Sequence, residues 1–369
     1  MNPLLTLPGA VAVEDGPDAG VAAHHGDPLA EQRAMDRSAA VVDRSHREVI
    51  AVPGEDRLSW LHLLLTQHVS ELTPGTGTES LVLDINGRVE HHAVLAHVDD
   101  TVWLDVEPNT SATLLDYLEK MRFWSKVEPR SATDELALLS VVGPATDEVL
   151  AAAGVAVPDQ AYGAASLGAD GGFVRRMPAL TAIGVTGTGT GGAVDLLVPR
   201  AEVANWWRRL RDAGAAAAGI MAYEALRVAA LRPRLGADTD ERTIPHEVGW
   251  IGSAVHLDKG CYRGQETVAR VANLGRPPRR LVLLHTGDDE PPQTGDQVML
   301  GARTVGRVGT AVQHHELGPV ALALVKRSTP VDAELTVGDV PVRIDPDSVP
   351  PEDGAEPPGR QAQARARGR

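Results

Sequence analysis

Four things are scarce in this chain. Among its 369 residues there is one cysteine, Cys261, and four lysines, Lys120, Lys126, Lys259 and Lys326; aromatic residues make up only 3%, and long apolar runs are missing. A solitary cysteine excludes an internal disulfide framework and a multi-cysteine zinc or iron–sulfur centre, and no metal site is expected. With so few rings, the core must be built from Ala, Val and Leu. No stretch reaches the roughly 18 apolar residues of a spanning helix, and the opening residues lack a basic region ahead of an apolar one. A cytoplasmic chain without membrane contact is expected. Acidic residues outnumber basic ones by 50 to 35, a net charge of −15. Such a surface repels phosphate backbones, so direct nucleic-acid binding is not expected.

Several catalytic signatures are absent too: there is no G-K-[ST], no H-E-x-x-H and no G-x-S-x-G. Gly187–Gly192 contains G-x-G-x-x-G, but a dinucleotide site needs a helix next, and Ala193–Val198 reads as a strand. A glycine-rich hairpin is the simpler reading. His91-His92 and His314-His315 are adjacent pairs, and neighbours on a strand point to opposite faces. Neither pair suits a chelate, and at most one member of each can face a shared pocket.

What is present switches pattern often. Residues 1–33 are rich in Gly, Ala, Pro and Asp and read as a loosely ordered arm, whereas 346–369 cluster Pro, Glu and Arg and read as a disordered tail. Leu58, Leu61, Leu64 and Leu65 predict a helix over 56–69. Residues 80–106 read as strands, with Asn86-Gly87 as a two-residue hairpin turn at positive φ and a second turn at Asp99-Asp100. Asn109 or Thr110 can cap a helix to about Met121, a strand follows over 136–142, and Gly143-Pro144 opens another helix. Further helices are predicted over 200–213, 221–231 and 265–272. Arg276-Pro277-Pro278 is a linker, because consecutive prolines cannot continue a helix, and the strand-rich region beyond it is a small β domain. The expected organisation is an α+β body over 34–275 and a β domain over 276–345. Strands in hairpin runs argue against a doubly wound parallel sheet.

Asp258–Glu266 is unlike the rest. It sets the only cysteine between Gly260 and Gly264, with Lys259 and Arg263 close by in sequence. The glycines allow Cys261 a tight, exposed corner, and nearby positive charge at a helix start favours a thiolate. A thiolate can attack an electrophile, bind a soft metal or be oxidised. The alternative is a small buried apolar residue.

Lys259-Gly260-Cys261-Tyr262-Arg263-Gly264-Gln265-Glu266 resembles the K-G-C-Y-x-G-Q-E signature of the YgfZ-type folate-binding proteins. These are paralogues of the aminomethyltransferase, or T-protein, of glycine cleavage. Asp56–Leu61, Leu83–Val89, Gly143-Pro144-Ala145 and Ala225–Val228 are also similar to the family, so the resemblance covers roughly 28–345. It implies three subdomains around a central opening that binds tetrahydrofolate, with a C-terminal β-barrel. It further implies that Asp195 holds the pterin and that Arg227 serves the folate site, along with Gln265, Glu266, His91 and His92. Carboxylate and guanidinium suit a pterin's donors and an anionic tail. In the same light Cys261 would act with Lys259, which keeps it ionised, and Tyr262, which walls the pocket. T-proteins carry an Asp pair where His91-His92 stand here, which argues against aminomethyl transfer but not against folate binding. The implied role is assembly or repair of iron–sulfur enzymes, including radical-SAM enzymes that modify tRNA. Such clients would be met transiently, by a monomer. One-carbon transfer of the T-protein type is the alternative.

Overall fold

The computed structural model describes residues 2–184 and 192–349. Seven α-helices lie among them: α1 Pro28–Arg37, α2 Arg57–Leu64, α3 Ser111–Lys120, α4 Thr146–Ala152, α5 Val203–Asp212, α6 Ile220–Ala229 and α7 Gln265–Leu274. None is long and apolar enough to cross a membrane. Two sheets form the body. The first has five strands in the order Thr76–Leu83, Val89–Val98, Thr101–Val106, Glu48–Pro53, Arg130–Ser131. The second has six, in the order Ala164–Ser166, Phe173–Met177, Gly192–Pro199, Leu136–Gly143, Ala40–Asp43, Ala216–Ala218. Within these sheets the pairings described are antiparallel except for Ala216–Ala218 on Ala40–Asp43. The strand expected after the glycine run is Gly192–Pro199, while the run itself falls mostly outside the described residues.

Packing follows the sequence periodicity. Trp60, Leu61 and Leu64 of α2 join Leu114 and Leu118 of α3 on one face of the first sheet. On the second sheet, Val149 and Leu150 of α4 and Trp206 and Leu210 of α5 do the same. Small side chains such as Ala51, Ala96 and Val98 let the sheets pack together, with Phe173 and Trp103 filling the gap at 5.8 Å between ring centroids. Beyond Arg276-Pro277-Pro278 the chain closes a six-stranded barrel, Arg279–Thr286 to Val340–Ile344, around Val, Leu and Ala. Closure leaves no unpaired edge.

Two expectations need correction. The turn before Val89 is not a two-residue hairpin. Only Gly87 has positive φ, +78°, and the backbone N–H of Asp84 donates to the carbonyl of Arg88. The Asp84 carboxylate accepts from the N–H groups of Asn86 and Arg88, both at 2.8 Å, which stabilises a longer loop with a bulge. The first 33 residues are not loose. Leu4 is buried among Val41 and Leu139, and the Asn2 amide donates to Asp43 at 2.6 Å. Val11–Ala12 pairs with Ala22–His24, and Asp27 caps α1 by accepting from Leu29 and Ala30. The Asn2 bond spans 41 positions, which composition does not reveal. The expected disordered tail lies outside the described residues beyond Val349; Pro346–Ser348 form a short 3₁₀ turn.

Candidate functional site

The two sheets and the barrel meet at a cavity of about 250 Å³. One wall is a ladder of alternating charge. Arg44 reaches Asp195 at 3.4 Å; Arg175 bridges Asp195 at 2.7 Å and Asp105 at 2.9 Å; Arg47 bridges Asp105 and Glu107, each at 2.6 Å. Arg234 continues it to Glu107, Glu224 and Asp18, and Arg227 joins Glu224 to Asp238. The pattern arises because inward positions on neighbouring strands carry opposite charges, as at Arg175, which pairs in register with Asp195. Burial by itself would push the Asp105 and Glu107 carboxyls up; Arg47, with Arg175 beside Asp105 and Arg234 beside Glu107, outweighs it and holds both below the usual carboxylate range.

Asp195 and Arg227 both line the cavity, but each already has charged partners. Asp195 is 2% exposed and also accepts from the Ser140 hydroxyl at 2.6 Å. Arg227 is 4% exposed and donates to Glu224, Asp238 and Thr310. Their part in the wall is therefore first of all to hold it together.

The same lining holds a group of which the sequence marked only His92. Glu79, on strand Thr76–Leu83, stands 3.2 Å from Nε2 of His92 and accepts the Tyr162 hydroxyl through its other oxygen. The His92 ring stacks on Trp250, 5.0 Å between centroids and 10° from parallel. Burial would raise Glu79, yet the His92 hydrogen bond and charge, Arg232 and the Tyr162 hydrogen bond together hold it down at about 2. Arg232, Arg280 and Arg327 also line the cavity. Only the strand period places His92 here. His91, expected at the folate site, does not line the cavity; it is held neutral by burial, its pKa lowered to about 4.

The K-G-C-Y corner is a separate place. Cys261 is exposed, as its glycine-flanked setting predicts, but it is not part of the cavity lining. Lys259 was expected to keep the thiol ionised. Instead its ammonium is buried and donates to the carbonyls of Leu65 at 2.5 Å, Gln67 at 3.1 Å and His62, closing the end of α2. Burial lowers its pKa to about 8. Tyr262 does not wall the cavity either: it packs in the core with Leu81, Leu83 and Trp250, and burial raises its phenol to about 12. Gln265 donates to the Lys259 carbonyl and Glu266 is exposed in the first turn of α7, so neither reaches the cavity. Arg263 pairs with Glu90 at 2.9 Å. The corner is fastened at Gly264, φ +83°, where a Cβ would meet the Asp84 carbonyl oxygen at 2.6 Å and Gly87 Cα at 2.8 Å.

The rings of His314 and His315 do not point apart; they stack at 4.9 Å, because the strand ends at His314 and His315 lies in the turn. Among the described residues, the set able to bring metal ligands together is Asp36, His315 and Glu316, away from the cavity.

Comparison with known proteins gives this architecture its class. Residues 22–259 match the GCVT N-terminal domain, and the chain belongs to that family. Residues 279–351 match the C-terminal beta-barrel domain of CAF17, so the chain couples a GCVT domain to a barrel of that type. The aminomethyltransferase of Rubrobacter xylanophilus is 32% identical over 86% of this chain and 84% of its own length. A chloroplastic Arabidopsis thaliana protein named as a transferase is 28% identical over 74% of this chain, and the match spans 62% of its length. The crystal structure of glycine cleavage system aminomethyltransferase T from Bartonella henselae superposes with a TM-score of 0.80 at 19% identity, covering 92% of this chain and 94% of that one. The fold is T-protein-like, α+β, and ends in a closed barrel.

Proposed function

We propose that the protein is a reduced-folate-binding member of the family, of YgfZ type, which supports assembly or repair of iron–sulfur enzymes in the cytoplasm, tRNA-modifying radical-SAM enzymes among them. The observation that carries the ligand is the cavity itself. A flat wall of His92 on Trp250, the Glu79 carboxylate and guanidinium groups at Arg232 and Arg327 match a planar ring with N–H donors and an anionic tail. At about 250 Å³ the cavity is below the size typical for a whole drug-sized ligand, so it takes the ring and leaves the tail to extend. Asp195 is taken by Arg175, and Glu79 by His92 and Tyr162, so either acid meets the ring only through an oxygen lone pair that its partners leave open. An exposed Cys261 is open to a protein client.

Aminomethyl transfer is the second reading, favoured by the names of the relatives above and opposed by His91-His92 in place of an Asp pair. The test is thermal unfolding of the full chain with tetrahydrofolate. A ligand that binds only the native state adds about 2.7 kcal/mol at a hundredfold excess over Kd. A clear rise in Tm is expected, without methylenetetrahydrofolate formation from an aminomethylated carrier. No shift at millimolar ligand would remove the folate reading, and turnover of the carrier would reverse the order of the two.

A further inference from the structure

We propose that Asp36, His315 and Glu316 form a site for a divalent transition-metal ion such as zinc, and that the ion fastens the first helix of the body to the barrel. The site lies away from the cavity and does not depend on what the cavity binds.

Two folded elements bring the three side chains together. Asp36 lies in the last turn of α1, Pro28–Arg37. His315 and Glu316 lie in the turn between the barrel strands Arg303–His314 and Gly318–Lys326. Gln32 joins the two elements. It is 1% exposed, its amide donates to the Gln313 carbonyl at 2.9 Å, and its side-chain oxygen accepts the His315 N–H at 2.8 Å. Asp36 follows Gln32 by four residues and so stands on the same helix face, one turn further on. The barrel turn is held as firmly. Nδ1 of His314 accepts the N–H groups of Glu316 at 3.1 Å and Leu317 at 3.2 Å, and the His314 ring stacks on that of His315 at 4.9 Å. The backbone that carries the three side chains is therefore fixed without help from an ion.

The charges at this place are unbalanced. One donor atom from each of Asp36, His315 and Glu316 lies within 4.8 Å of the other two. Among the described residues, no hydrogen bond or ion pair engages any of the three side chains. Arg33, one turn before Asp36, is turned to Asp27 at 3.6 Å. Elsewhere the chain matches acid to imidazole directly, His46 to Asp18 at 3.0 Å and His285 to Asp345 at 2.8 Å. Two carboxylates at such close range repel each other unless a cation stands between them. A buried donor adds a second sign of a ligand. His314 is 6% exposed; with its Nδ1 accepting, Nε2 carries the hydrogen, and that atom has no partner among the described residues. The charged groups acting on this ring are His315 and Asp36, which puts the unused N–H beside the cluster. A carboxylate bound to a metal takes such a donor as its outer support.

The donor set chooses the ion. Calcium and magnesium take oxygen ligands, so the imidazole points to a transition metal. Two oxygens and one nitrogen leave the fourth position of a tetrahedral zinc to water. Donors at zinc distances lie within about 4.4 Å of one another. Both carboxylates are exposed, and side-chain rotation closes the remaining gap. Of the adjacent histidines only His315 supplies a ligand, while His314 braces the turn, a division that sequence spacing does not show.

Calorimetric titration of the chelator-washed full chain with zinc chloride tests the site, and amide hydrogen exchange tests the fastening. One zinc ion per chain is expected to bind at micromolar concentration, and a large excess of magnesium should not displace it. Asp36→Asn, His315→Gln and Glu316→Gln should each weaken zinc by about tenfold or more. Their metal-free Tm should stay native, since none of the three side chains gives up a hydrogen bond or ion pair. His62→Gln and Cys261→Ser should bind zinc as the native chain does; they disrupt the clustered imidazoles of His62, His68 and His256 and the lone thiol, the rival places for zinc. Zinc should slow exchange over residues 28–37 and 310–318 together. No binding at micromolar zinc, displacement by magnesium, native affinity in both Asp36→Asn and His315→Gln, or loss of the ion in His62→Gln or Cys261→Ser would overturn the site. Zinc bound as expected with exchange unchanged in α1 would overturn the fastening.

Discussion

Along the cavity wall, Arg175 and Asp195 are nearly withdrawn from solvent and each charge is matched by its neighbours; at the Gly260–Gly264 corner, the Cys261 sulfur is in the open while Lys259 is tucked beneath it against three carbonyls. The comparison teaches that positive charge does different work in the two places. In the wall it neutralises carboxylates that could not otherwise be buried. At the corner it terminates a helix, and the thiol owes its availability to exposure rather than to a cationic partner. The two regions meet in the apolar packing around Tyr262 and Trp250 and through Gln67, which accepts from Lys259 and donates to Ser253. Neither depends on the other's charges, so mutation should separate them.

The largest effect is expected in the wall. Arg175→Leu would leave Asp105 and Asp195 without a shared partner, a loss of about 3–5 kcal/mol in urea unfolding. A loss below about 1 kcal/mol would show that the ladder is not what joins the sheets. Acid should act next, and on the same side of the comparison. Burial keeps His91, His246 and His314 neutral, each with its pKa lowered to about 4. The unfolded chain binds those protons at about 6.5. Stability is therefore full above about pH 6.5 and is lost as pH falls toward 4, because the unfolded state binds more protons. Glu79 and Asp240, both lowered to about 2, extend the loss as pH falls through the carboxylate range. A Tm that stays flat from neutral pH down to about 4.5 would contradict this. The smallest effect on stability belongs to the corner. Cys261→Ser should change it by less than about 0.5 kcal/mol and leave tetrahydrofolate affinity unaltered, while lowering client iron–sulfur enzyme activity in cells. Full client activity would take the thiol out of the function, and weakened folate binding would join the two regions after all.

Much of the scaffold could be read from local pattern. Leu61 and Leu64 mark the buried side of α2, Gly264 starts α7, and the apolar run after the glycine-rich stretch becomes the strand that bears Asp195. His91 and His92 part to opposite faces because a strand alternates. The missing half of the site depends on distant positions. Glu79 and Tyr162 are 83 residues apart, and Trp250 comes from a loop after the last body helix before α7, so nothing in their immediate neighbours marks them as one group. Lys259 misled for a related reason. Sequence proximity to Cys261 suggested a charge partner, yet its long stem carries the ammonium to the backbone of residues 62–67.

The charge ladder also bears on how the chain reaches this state. Its rungs tie Asp18 to Arg234, 216 positions away, and Arg44 to Asp195, 151 away. Contacts of such separation are made against a large loop-closure entropy and slow the search. During synthesis Asp105 and Glu107 emerge with Arg47 already made but well before Arg175 and Arg234, and until then the oxygens those two arginines will hold must stay hydrated. Hence the first sheet can zip early, but the centre of the molecule dries out and locks only when the segment through Asp238 has arrived.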